Sequence, residues 1–219
     1  MPNNYPVKLI AFDFDGVIAD SLNENIKITN IVCSKLGAEI NVTPDLLQSV
    51  DCMSFDAIAA KIKLPHVHYS EALKQINKML VASYCNIKPF EGICEVISEL
   101  YDRKIHIIIN THNTVDAVKP FLKKHDLHHY FSEIFGAETP GGKDEKMMIA
   151  LENNSLCSCS AMLIGDSVGD ITDAQGAGVI PAGVAWGFQS EDKLLKAGAE
   201  IIFQTPADIP DLIAGKMHY

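Results

Sequence analysis

The sequence predicts an α/β protein, a Rossmann-like core on a parallel sheet with a block of helices inserted after its first strand. Three observations lead there. The apolar run Leu9, Ile10, Ala11 and Phe12 ends in Asp13 and Asp15 and is followed at once by Gly16, the pattern of a strand covered on both faces that delivers polar groups at its tip. From Pro89 onward, short apolar runs alternate with helical spacings of apolar residues, as in repeated βαβ units. Between Ser21 and Asn86 the apolar positions follow helical spacing, with no convincing strand.

Within the helical block, Leu22, Ile26, Val32, Cys33 and Leu36 place a first helix after Ser21, and Gly37 stands where a C′ glycine belongs. Thr43 and Pro44 offer an N-cap and an N1 proline for a short helix through Val50. Another helix is expected over 54–62, stopped by Leu64-Pro65. Ser70 is expected to cap a longer one with Leu73, Ile76 and Leu80 on one face. Residues 20–86 thus read as a helical cap, and 1–19 with 87–219 as the α/β core; the two crossings between them form a natural hinge. In the core the expected order is helix 93–100, strand 105–109, helix 115–125, strand 134–137, helix 145–153, strand 161–164, helix 171–177, strand 179–184, helix 192–197 and strand 201–203.

At 219 residues the chain can bury a core that needs no disulfide staple. Its net charge of -10 argues against nonspecific nucleic-acid or anionic-membrane binding, which require a basic surface. The N-terminal MPNNYPVK lacks the basic and long apolar regions of a secretory signal, and no apolar run approaches a membrane span, so a cytoplasmic protein is expected. Cys33, Cys52, Cys85, Cys94, Cys157 and Cys159 contain no zinc-type CxxC pair and are expected to be free thiols. Oligomeric state is open.

The chemistry-bearing residues gather where strands are expected to end. Side chains alternate along a strand, so Asp13 and Asp15 share a face, and two like charges that close need a cation or a shared proton. A hard divalent cation such as Mg²⁺ would supply the compensation. The strand at 105–109 runs into Asn110-Thr111-His112-Asn113. The glycine-rich stretch Gly136 to Gly142 ends in Lys143 just before a helix. The strand at 161–164 is followed by Gly165-Asp166-Ser167-Val168-Gly169-Asp170. His66 and His68, His128 and His129, and the Cys157-Ser158-Cys159 triplet lie away from these tips and are read as surface or loop features.

An apolar strand followed by Asp13-Phe14-Asp15-Gly16-Val17, then Asp20-Ser21, and the later Gly165-Asp166-Ser167 with Asp170, resemble the first and fourth signatures of the haloacid dehalogenase-like hydrolases. The helical block points to the branch of phosphoglycolate-phosphatase-like and β-phosphoglucomutase-like members. The resemblance implies a Mg²⁺-dependent phosphatase of a small phosphorylated metabolite acting through an aspartyl-phosphate. Asp13 would be the nucleophile. Asp15 would be the acid/base, its backbone carbonyl helping to hold the metal with Asp13, Asp166 and Asp170. Thr111 and Lys143 would hold the phosphoryl group, with His112 beside them. Asn110 rivals Thr111 and Lys146 rivals Lys143, because the residues after each departs from the usual family pattern. A phosphomutase, or a catalytically degenerate binding member, is the alternative.

Overall fold

The structure is a computed structural model that describes residues 7–50 and 53–214. Strand β1 (Leu9–Phe12) leads into a helical insertion of α1 (Leu22–Lys35), α2 (Pro44–Ser49), α3 (Phe55–Lys61) and α4 (Tyr69–Ser83). The α/β alternation then runs α5 (Ile93–Asp102), β2 (His106–Asn110), α6 (Val115–Lys124), β3 (Glu133–Phe135), α7 (Lys143–Asn153), β4 (Ala161–Gly165), α8 (Val168–Gly176), β5 (Ile180–Val184), α9 (Glu191–Ala197), β6 (Ile201–Phe203) and α10 (Asp208–Ile213).

All six strands pair in parallel, in the order β3-β2-β1-β4-β5-β6. Alternation along each strand feeds two layers. Ile10, Phe12, Ile107, Ile109, Met162 and Ile164 face one layer, while Leu9, Ala11, Ile108 and Leu163 face the other. The first layer continues without a break into the insertion, where Ile28, Val32, Ala72, Ile76 and Leu80 are buried. The order reverses between β1 and β4, the place where open parallel sheets of this kind leave a crevice at their carboxyl ends. Phe14, fully buried, sits beneath that crevice with its ring edge-on to Tyr84 (5.3 Å) and Phe121 (5.0 Å).

Several expected boundaries shift for local reasons. Ser70 does not cap α4. A 3-10 turn at His66–His68 already carries the chain into helical geometry, so α4 begins at Tyr69 and His68 is the N-cap. α7 starts at Lys143 rather than Glu145, because Gly142 in extended geometry is its N-cap. α8 starts at Val168 rather than Ile171: Ser167 and Asp170 form a reciprocal capping box that outweighs Gly169. β2 lies one residue later than its apolar run, and α10 has no counterpart in the sequence reading.

Because Phe14 lies between the two aspartates and supports both neighbouring aromatics, Phe14→Ala should cost about 3–5 kcal/mol, as large aromatic truncations in cores do. Urea unfolding measures it, and a loss below about 1 kcal/mol would mean the site does not rest on this ring.

Candidate active site

β1 and β4 end side by side. The Asp13 N–H donates to the Ile164 carbonyl at 2.8 Å, and beyond it the chain turns tightly, with the amides of Ile18 and Ala19 both bonded to the Phe14 carbonyl (2.9 Å each). Gly16 takes φ +78° in this turn. A Cβ there would stand 1.9 Å from Asp166 Oδ2, and one at Gly187 would stand 2.2 Å from Asp166 Cβ. Backbone therefore closes around Asp166 from two sides.

Lys143, the first residue of α7, is 1% exposed and reaches Asp13 Oδ1 at 2.9 Å and Asp170 Oδ1 at 2.6 Å. A buried cation at a helix N-terminus runs against the helix dipole, so these two carboxylates are what hold it there. Asp13 Oδ1 also accepts from the Phe14 amide at 2.7 Å, whereas its Oδ2 accepts nothing from the described residues. Asp170 Oδ2 accepts from the Ser167 hydroxyl (2.6 Å) and amide (3.1 Å). Asp166 Oδ2 accepts from the Phe188 amide at 2.7 Å.

The electrostatics follow from this crowding. Burial pushes Asp13 from 3.8 up to about 7, against the pull of Lys143 and with a push from Asp170. Burial also raises Asp166 well above the carboxylate range, helped by the charges of Asp170 and Asp13. Burial opposes ionisation of Asp170 too, yet Lys143 and the Ser167 hydroxyl hold it below 3.8. Burial would lower Lys143, but Asp13 and Asp170 raise it, so it remains an ammonium.

Asp15 turns away from this group. Its Oδ2 accepts from the Tyr84 hydroxyl at 2.8 Å and from Asn113 Nδ2 at 2.5 Å. Its Oδ1 is buried, and so is the Ser21 hydroxyl, which lies close enough to favour the ionised carboxyl. Burial raises Asp15, and Ser21, Asn113 and Tyr84 pull it back. The like charges of Asp13 and Asp15 are therefore satisfied by separate partners, Lys143 for one and neutral donors for the other.

Thr111, 1% exposed, accepts at Oγ1 from the Asn113 amide at 3.1 Å. It does not cap α6; Thr114 does, accepting from Ala117 N. Its rival Asn110 is fully buried, and its Nδ2 donates to the Lys143 carbonyl at 2.8 Å, which anchors the start of α7. His112 is exposed at the rim; desolvation by the protein around it, then the charge of Lys143, shifts it toward neutral imidazole. Lys146, the other rival, is buried but forms no ion pair among the described residues, and burial followed by the Lys143 charge lowers it. The structure thus brings Asp13, Asp166, Asp170 and Lys143 together, with Asp15 and Thr111 alongside through Asn113. Tyr84, Asn113, Phe188 and Gln189 were not legible as site residues.

The helical insertion meets the core next to this group. Gln48 donates to the Phe188 carbonyl at 2.6 Å and accepts from the Ser190 amide at 3.0 Å, while Gln189 and Lys193 both donate to the Val50 carbonyl (3.2 and 2.5 Å). Among the described residues two groupings have the spacing of metal ligands. Asp13, Asp166 and Asp170 offer oxygens within 4.8 Å of one another. Three carboxylates against one ammonium leave uncompensated negative charge, and an all-oxygen set suits a hard divalent cation; the residues fit Mg²⁺. The second grouping, Asp126 with His128 and His129, is wholly exposed on the turn after α6. Cys33, Cys85, Cys94, Cys157 and Cys159 are in no disulfide, Cys157 capping a 3-10 turn; Cys52 and residues 1–6 lie outside the described residues.

Residues 10–184 match the sequence pattern of the family described as haloacid dehalogenase-like hydrolase. The chain belongs to the haloacid dehalogenase-like hydrolases. Within the family it is 23% identical over 203 residues to a phosphoglycolate phosphatase from Synechococcus elongatus, covering 93% of this chain and 95% of that one. It is 26% identical over 197 residues to a 5′-nucleotidase from Pseudomonas aeruginosa, covering 84% and 86%. A haloacid dehalogenase-like hydrolase from Streptococcus pneumoniae superposes with a TM-score of 0.82 at 22% identity, over 94% of this chain and 98% of that one. The protein is accordingly a hydrolase of the phosphoglycolate-phosphatase-like branch.

Two predictions separate the rival residues. Removing the Lys143 ammonium strands two buried carboxylates, so Lys143→Met in chelator at pH 8 should cost about 3–5 kcal/mol. The loss should shrink at pH 5.5, where the stranded groups take up protons, and Lys146→Met should cost far less; equal losses in urea unfolding would reverse the assignment. Asn110→Ala should lower stability by about 1–3 kcal/mol through the lost bond to the Lys143 carbonyl, whereas Thr111→Val should lower activity with little change in stability. The opposite pairing would move the functional hydroxyl's role to Asn110.

Proposed function

We propose that the protein is a Mg²⁺-dependent phosphatase that hydrolyses a small phosphomonoester through an aspartyl-phosphate on Asp13. One observation carries the reading: Lys143 is shared by Asp13 and Asp170 at the β1/β4 switch point, with Asp166 in the same oxygen cluster. The curated relatives carry the names of two different phosphomonoester hydrolases, which supports the class of substrate. The net charge of -10 disfavours a nonspecific nucleic-acid partner. Segment 20–86 acts as the cap over the site, through the contacts of Gln48 and Val50 with residues 188–193.

Asp13, Asp166, Asp170 and the Asp15 carbonyl would hold Mg²⁺, which when bound neutralises charge on the phosphoryl oxygens. Asp13 is fixed through Oδ1 by Lys143 and the Phe14 amide, so Oδ2 is the oxygen available to attack phosphorus in line. As the Asp13–phosphorus bond forms, the bond to the alcohol oxygen breaks, and that oxygen takes its electron pair and a proton from Asp15. Asp15, now a carboxylate, takes a proton from a water whose oxygen attacks the same phosphorus. The Asp13–phosphorus bond breaks, inorganic phosphate leaves, and both aspartates return to their starting states. The Lys143 ammonium and Thr111 hydroxyl hold phosphoryl oxygens through both steps.

Asp13→Asn should abolish turnover of p-nitrophenyl phosphate while substrate still binds, since an amide nearly keeps the shape but is a poor nucleophile. Retained turnover would remove Asp13 from this role. Cation binding has its own readout in the absence of substrate. The folded chain without cation keeps protons on Asp13 and Asp166 that the unfolded chain has released, so its stability falls as pH rises from about 4 to about 7. Added Mg²⁺ should therefore raise the Tm more at pH 8 than at pH 5.5, and little at either pH in Asp166→Ala. A shift independent of pH and of Asp166 would contradict the site.

A further inference from the structure

Two side chains that no signature motif marks converge on one oxygen. Tyr84, the residue that ends α4, and Asn113, two residues past Thr111, both donate to Asp15 Oδ2. Neither donor is loosely placed. Tyr84 is fully buried, with its ring edge-on to Phe14. Asn113 is pinned by its backbone, whose amide donates to Thr111 Oγ1 (3.1 Å) and whose carbonyl accepts from Ala137 N (2.7 Å).

We propose that Tyr84 and Asn113 are positioning residues that lock the Asp15 carboxylate in one orientation by occupying its Oδ2. The proposal rests on reading Asp15 as the acid/base. Two donors aimed at Oδ2 across 2.5 and 2.8 Å fix the plane and direction of the carboxylate. Burial, then the Asp15 charge, holds the Tyr84 phenol well above its ordinary range, so it remains a donor. A carboxylate free to turn about its terminal torsion would present its oxygens in two directions; the pair of donors removes that freedom.

The origin of the two donors matters. Asn113 comes from the core, on the same stretch as the phosphate-holding Thr111, while Tyr84 closes the last helix of the insertion. Asp15 itself lies in the turn from which the insertion departs, paired by a backbone bridge with Ala19. Its orientation is thus set jointly by core and insertion, and only when α4 is seated does Oδ2 have both donors.

Tyr84→Phe keeps the ring and deletes one donor, and Asn113→Ala deletes the other from a separate element, so a failure of either variant to fold leaves the second available. With p-nitrophenyl phosphate, each should keep the rapid-quench burst of p-nitrophenolate, whose release needs little protonation, and slow the steady-state kcat by about 10–100-fold with KM nearly unchanged. In an Asp15→Asn background the same substitutions should lower kcat less than about twofold, because a residue that acts through Asp15 has nothing left to position. An equal loss in both backgrounds, or loss of the burst in a variant with wild-type Tm, overturns the proposal. If Asp15→Asn is slow while both donor variants turn over like wild type, the positioning role fails and the acid/base reading stands. If Asp15→Asn itself is unimpaired, that reading fails.

Discussion

Three carboxylates meet where β1 and β4 end side by side, and a single buried ammonium lies between two of them. Much of the surrounding structure can be understood as a response to that concentration of charge. Lys143 can be buried because Asp13 and Asp170 face it, and α7 begins where it does so that the ammonium arrives there. Asn110 secures the Lys143 carbonyl, the Ser167 box secures Asp170, and the Phe188 amide secures Asp166. What remains uncompensated shows in Asp13 and Asp166, both held above the usual carboxylate range, and an oxygen-rich site with such a surplus suits a hard divalent cation.

The fold was legible because buried strands leave an unambiguous apolar run with a polar tip. Leu9–Phe12 and Ala161–Gly165 are such runs, and their tips carry Asp13 and Asp166. Boundaries governed by caps were less legible. The capping box of Ser167 and Asp170 begins α8 earlier than the apolar spacing suggests, and Gly142 begins α7 at Lys143. Asp170 serves two parts at once: it caps a helix with one oxygen and holds Lys143 with the other.

Tyr84 and Asn113 were illegible for a different reason. Each approaches Asp15 across a long stretch of chain, so no local spacing announces it. Asn113 registered only as a departure from the family's usual residue after the hydroxyl, and the structure shows that the departure supplies a donor. Gln48 and Gln189 belong to the same group, since their partners lie on the far side of the core sequence.

The two points where the chain leaves and re-enters the core are themselves joined. Asp20 N bonds the Lys88 carbonyl at 2.9 Å, Phe90 N bonds the Ile18 carbonyl at 3.0 Å, and Ala19 and Pro89 form an antiparallel bridge. The whole helical excursion is therefore a loop clasped at its base, and the entropy of closing such a loop rises only by about 0.6 kcal/mol for each doubling of its length. In closure entropy, the sheet is nearly indifferent to the length of the loop. Helices of other lengths could be accepted between the same two clasped residues, provided that a side chain in the place of Tyr84 still reaches Phe14 and Asp15; length is free where the clasp closes and constrained where the last helix returns to the core.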